Sequence, residues 1–185
     1  MAMKWSGDPV RVAEDIWTAN GWHDAAPGMS AVTSLGRVDQ LISQRADQIL
    51  TPLELTFARY QVLVVCYFNP EPVSLSFVAR ALGLHQATVT GLVDKLEKQG
   101  LLERKPHPED RRSTLAAITR AGRARTRTAI KRMNTGLFTA LGLDEEQART
   151  LVSLLATVRR SWDDLPEEEV GDDAGAGLPV PQSAP

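Results

Sequence analysis

His85, Gln86, Ala87, Thr88 and Thr90 open an amphipathic run whose apolar stripe is Val89, Leu92, Val93 and Leu96. On a helix Gln86, Ala87, Thr88, Thr90, Gly91 and Lys95 lie off the stripe and face outward, while His85 stands at the helix start, where it caps or touches DNA. Their chemistry suits the edge of a duplex. Gln can pair bidentately with adenine, Ala and Thr methyls fit the thymine methyl, and Lys neutralises phosphate. A second basic pair, Arg111 and Arg112, follows in a stretch from Pro106 that its two prolines keep from being helical. Arginine on such a turn suits phosphate or minor-groove contact. Singly, each of these residues is also at home on a solvated face; the weight lies in their order along the chain.

The elements that would position them are legible. Val78, Ala81 and Leu82 share helical spacing, with the small Ala79 where a second helix would cross. Gly83 ends that helix, since glycine takes the left-handed conformation without cost. Leu84 and the run from His85 then begin a second helix, which Gln99-Gly100 stops. Alanine, glycine four residues on and a β-branched residue six after that is helix-turn-helix spacing. Leu101 to Lys105 reads as a strand, 106–112 as a turn and Ser113 to Ile118 as the return strand. Together they make a hairpin beside the helices, a wing with arginines at its tip.

Other chemistries are poorly served. His23, His85 and His107 have no Cys or His at ligand spacing, so no metal site is expected. Cys66 sits inside the apolar run VLVVCYF and reads as a core residue, unlike a reactive thiol in a basic setting. No Gly-rich phosphate loop, nucleophile elbow or paired-carboxylate constellation appears, so we expect no catalytic residues, no cofactor and no enzyme. Trp17, Trp22 and Tyr60 are aromatics that could line a small-molecule pocket.

The run Val89-Thr90, Leu92-Val93-Asp94-Lys95-Leu96-Glu97, Gly100-Leu101-Leu102, Arg104, Asp110-Arg111-Arg112 and Ile118-Thr119 followed by Gly122 resembles the MarR (multiple antibiotic resistance regulator) family. The resemblance covers roughly residues 30–162. It implies a mainly α-helical, winged helix-turn-helix protein with a small β-wing, dimerised through its N- and C-terminal helices. It further implies a homodimeric transcription regulator on near-palindromic double-stranded DNA, released by a small, frequently aromatic, ligand. Asp110 stands where the family's wing aspartate orients an arginine. The alternative is a winged-helix module that mediates protein contacts without specific DNA binding; the wing arginines argue against it.

Composition sets the frame. The 185 residues fit one domain with tails, and a hydrophobic share of 43% can fill a core. The net charge of −2 argues mildly against nucleic acid, but its distribution does not. From Lys95 to Arg132 there are twelve Lys/Arg and four Asp/Glu; from Asp163 onward there are seven Asp/Glu and no Lys/Arg. The basic block falls on the wing and the following helix, where a DNA footprint belongs. No apolar run approaches a membrane span, the N-terminus lacks a secretion signal, and one cysteine fits a reducing, cytoplasmic setting.

Along the chain we expect an extension (1–29), a MarR-like domain (30–162) and an acidic, Pro/Gly-rich, disordered tail (163–185). Within the domain the winged helix-turn-helix occupies about 53–119, and dimerisation helices about 30–51 and 120–162. Asp8-Pro9 starts a short helix, with Trp22, His23 and Pro27-Gly28 in the loop after it. Ser30 or Thr33 caps the next helix, and Thr56 a third that should be buried nearly all round. A long helix runs from about Ala121 to Leu141, its first half basic and near DNA. Asp144 caps the last helix, with Gln147 completing a near capping box.

Overall fold

The computed structural model describes residues 7–108 and 114–165. Helix α1 (Pro9–Ala19) is capped by the Asp8 carboxylate, which accepts from the Val10 amide at 3.0 Å. It packs on the start of α2 (Ala26–Leu50), and the Ser30 hydroxyl ties the two by donating to Glu14 Oε2 at 2.9 Å. The expected loop at Pro27-Gly28 is therefore the first turn of α2. Proline is tolerated there because the missing amide hydrogen would have had no helical partner. Neither Ser30 nor Thr33 caps this helix: Ala25 stands at the cap position and supplies no side-chain bond.

After a short 3-10 turn, Thr51–Leu53, comes α3 (Phe57–Phe68), capped by Thr56 as expected. Its all-round burial is not observed. Tyr60, Val62, Leu63 and Cys66 are buried, Val64 and Val65 only partly, and Phe68 is 52% exposed. A two-residue strand, β1 (Val73–Ser74), leads into α4 (Leu75–Leu82), capped by the Ser74 hydroxyl. Gly83, at φ 62°, turns the chain into α5 (Gln86–Lys98), and Gly100, at φ 68°, turns it out again. These two glycines hold the left-handed conformation that their positions demand.

β2 (Leu102–Pro106) and β3 (Thr114–Ile118) pair antiparallel, with Leu102 opposite Ile118 and Pro106 opposite Thr114. Pro106 thus ends a strand and does not begin the turn; it lies on an edge strand, where a missing amide is tolerated. β1 joins the other side of β3, giving the order β1-β3-β2. The long helix is also shorter than expected. α6 (Arg120–Gly136) starts at the Thr119 cap and gives way to a 3-10 turn, Phe138–Ala140. At the break a Cβ on Gly136 would sit 2.9 Å from Ile49 Cδ1, so α2 lies close against the end of α6. The Gly136 carbonyl there accepts from Arg45 Nε at 3.3 Å.

Helix α7 (Glu145–Ser161) opens with a full capping box between Asp144 and Gln147, yet buries no residue. The core is built from α3–α6 and the sheet, with Leu50 of α2 closing it; Leu63, Val78, Val89, Val93, Leu96, Leu101 and Met133 are fully buried in it. Among the described residues no single helix is long and apolar enough to cross a membrane.

Candidate nucleic-acid interface

Helix α5 turns Val89, Val93 and Leu96 into the core. At about 100° per residue, Ala87, Gly91, Lys95 and Lys98 then run down the opposite side, with Thr88 on one flank and Gln86, Thr90 and Asp94 on the other. His85, Gln86, Ala87, Thr88 and Lys95 are exposed, and Thr90 half-buried. A side chain at Gly91 would meet nothing within 4 Å, so the middle of this face is open backbone. His85 occupies the cap position but makes no side-chain capping bond. The Thr90 hydroxyl donates to the Gln86 carbonyl at 2.9 Å, so its proton is engaged within the helix and its methyl is the part left to offer.

The wing is fastened to this helix by Arg104 of β2. Its guanidinium Nη2 donates to Asp94 Oδ1 at 2.5 Å and to the Thr90 carbonyl at 3.3 Å. Its Nε lies 3.5 Å from Glu97 Oε2, and its backbone amide donates to Glu97 Oε1 at 3.1 Å. Sequence reading assigns Arg104, Asp94 and Glu97 no role. The signal is present: two acids at i and i+3 on a helix, then a cation in the next strand, but their meeting depends on how the strand folds back. Asp110, Arg111 and Arg112, the expected wing tip, lie outside the described residues.

A second junction fixes the wing to α6. The Thr119 amide donates to the Leu101 carbonyl at 3.1 Å, its hydroxyl donates to the Gly100 carbonyl at 2.8 Å with the Leu101 carbonyl farther off at 3.2 Å, and the same hydroxyl accepts from the Gly122 amide at 2.9 Å. A Cβ on Gly122 would lie 2.1 Å from that carbonyl oxygen, so only glycine fits. Two cations at the basic start of α6 are turned inward, while Arg120, Arg127, Lys131 and Arg132 stay exposed. Arg123 donates to the Tyr67 carbonyl at 3.3 Å and lies 5.9 Å from the centre of its ring. Arg125 donates to the Leu53 carbonyl and to Glu54 Oε2, both at 3.1 Å.

The aromatic trio is not assembled into one pocket. Trp17 and Trp22 pack edge to face at 5.4 Å on the α1 side. Tyr60 instead lines a cavity of about 440 Å³ under the helix-turn-helix. Helix α3 supplies Phe57, Tyr60, Gln61, Val64, Val65 and Phe68; Leu82 of α4, Ile130 and Asn134 of α6 and the turn residue Phe138 complete it. Burial raises the Tyr60 phenol above its ordinary pKa. Cys66 is a core residue, its thiol pushed up to about 12 by burial, against a smaller opposing pull from the Arg123 charge. Among the described residues no cluster of His, Cys, Asp and Glu could hold a metal.

Comparison with known proteins agrees with this geometry. The MarR family model matches residues 53–113, from the turn before α3 to the wing. The multiple antibiotic resistance protein MarR of Escherichia coli is 31% identical over 99 residues, 50% of this chain and 67% of that protein. The crystal structure of a MarR family regulator from Streptomyces coelicolor superposes with a TM-score of 0.68 at 32% identity, covering 76% of this chain and 99% of that one. The transcriptional repressor CouR, bound to a 23-mer DNA duplex, superposes at 0.63 with 30% identity, over 69% of this chain and 90% of its own. Helix-turn-helix, wing and relatives agree: the chain belongs to the MarR family of winged-helix transcription regulators.

Proposed function

We propose that this chain is a homodimeric, sequence-specific DNA-binding repressor that releases its operator when a small ligand occupies the cavity beneath the helix-turn-helix. The observation that carries the reading is the face of α5. His85, Gln86, Ala87 and Thr88 are exposed, and among the described residues none of their side chains has a hydrogen-bond partner. This face reads bases, Lys95 and the wing arginines Arg111 and Arg112 meet phosphate or the minor groove, and Asp110 orients the wing.

Dimerisation is supported by uncovered apolar surface. On α7, Val152, Leu154 and Trp162 are 66%, 62% and 73% exposed. Val32, Val38 and Leu41 of α2 are similarly open, as are Phe138 and Leu141 between α6 and α7. Apolar side chains this exposed on helices outside the core mark an interface. A symmetric pair would set two α5 helices on half-sites about 10 base pairs apart. Repression and ligand release are supported by the likeness to CouR, which is a repressor seen on DNA and, in a second crystal structure, with p-coumaroyl-CoA.

The test starts from an operator selected from a random DNA pool. Fluorescence anisotropy on operator and scrambled duplexes, across a salt series, separates the roles. Gln86→Ala or Thr88→Ala should cost about 1–3 kcal/mol on the operator and little on scrambled DNA. Lys95→Ala or Arg111→Ala/Arg112→Ala should weaken both duplexes alike and flatten the salt slope by about 1 for each phosphate no longer neutralised. Equal losses on both duplexes from Gln86→Ala and Thr88→Ala would reject base reading by this face.

A further inference from the structure

Ligand class is written in the charges around the cavity. Resting on the proposed ligand release, we infer that the cavity selects an uncharged, largely apolar molecule carrying one amide-like polar group, and disfavours carboxylate anions. None of the described residues that line it is charged. Its polar groups are the Tyr60 phenol and the carboxamides of Gln61 and Asn134. A carboxamide donates and accepts together, so a neutral amide finds both halves of its bonding matched. A carboxylate could use only the donors and would enter without a countercharge, which makes its desolvation costly. Phe68, 52% exposed, adds an apolar ring to the lining and no countercharge.

The same walls explain how an occupant would be felt at the DNA. Leu82 is the last residue of α4, and Gly83 beside it turns the chain into α5. Ile130 and Asn134 stand across the cavity on α6. A molecule wedged between Leu82 and Ile130 would press on the end of α4 and, through Gly83, on the start of α5.

The experiment compares two shape-matched probes, 2-naphthamide and 2-naphthoate, binding to the DNA-free full-length protein near neutral pH, by calorimetry. The amide should bind at least about tenfold more tightly than the anion. Gln61→Arg, which brings a cation into the lining, should reverse that order and so place the binding in this cavity. Equal affinities, a tighter naphthoate, or a preference untouched by Gln61→Arg would overturn the inference. Failure of both probes to bind at millimolar concentration would overturn it too, the space then being filled by protein. Release of a labelled operator is measured separately. An amide that binds in the predicted order without releasing DNA would refute ligand release and leave the selectivity of the cavity standing.

Discussion

Gly122→Ala should be among the most damaging single-methyl changes available to this protein. The added Cβ would stand 2.1 Å from the Leu101 carbonyl oxygen and 2.9 Å from Ile118 Cγ1, whereas ordinary contact begins near 3.4 Å. Helix α6 and that carbonyl must therefore part by more than an ångström. Neither yields easily, because the clash is with backbone. The separation stretches the Thr119 amide bond to the Leu101 carbonyl, now 3.1 Å, beyond hydrogen-bonding distance. Losing it costs about 1 kcal/mol, and the overpacking adds about 1–3 kcal/mol. Alanine's better helix propensity returns under about 1 kcal/mol. The net loss is about 1–4 kcal/mol, a sizeable part of the 5–15 kcal/mol typical of a domain. Urea unfolding at fixed protein concentration is the assay, and the midpoint should fall by about 0.5–2 M. Gly36→Ala, with nothing within 4 Å of the new methyl, is the control and should hold or raise the midpoint. A Gly122→Ala protein as stable as wild type would refute the argument that this carbonyl fixes the wing to α6.

Gly91→Ala should divide stability from binding: the fold gains up to about 1 kcal/mol, while operator affinity drops because the methyl stands mid-face. Unchanged anisotropy on the operator would mean that this face does not approach DNA closely. Arg104→Met should lower the urea stability by only about 1–2 kcal/mol, since Asp94 and Glu97 are half-exposed. Operator affinity should nevertheless fall by about tenfold or more, and a binding curve identical to wild type would show that the wing needs no such tie. Cys66 supplies a pH signature. Its folded pKa, about 12, lies above the ordinary 9.0, so its contribution to stability is complete below about 9 and lost as the pH climbs toward 12. Wild type should lose stability across that window by up to about 1.4 kcal/mol per pH unit more than Cys66→Val; superimposable alkaline unfolding curves would contradict it.

What can be read from the sequence is what is encoded locally. Asp8, Thr56 and Asp144 are identifiable as caps because a cap is a side chain bonding an amide two or three residues away. Gly83 and Gly100 are legible as turns, and Val89, Val93 and Leu96 as a buried stripe, for the same reason. The failures depend on something distant in sequence. Helix α6 stops at Gly136, where Ile49 and Arg45 of α2 meet it. Arg123 and Arg125 read as a basic face, yet each finds a carbonyl more than fifty residues away. β1 is a strand only because β3 lies beside it. Pro27 misleads for a different reason: proline ends helices and also begins them, and only its neighbours in space decide which. At the candidate site the exposed face of α5 is visible in the sequence, whereas the clamp that positions it is not.

That clamp decides which partner must yield. Arg104 ties the base of the hairpin to α5, and the Leu101 carbonyl ties it to α6, so the two DNA-facing elements share no hinge. If α5 and the wing are the reading elements, so stiff a reader would present a fixed gauge, and a duplex that flexes to match it would be bound best. Between the step under α5 and the step under the wing lie base pairs that no side chain need touch. Their sequence would still be judged, by how cheaply it flexes: pyrimidine–purine steps would be favoured there and rigid A-tracts penalised.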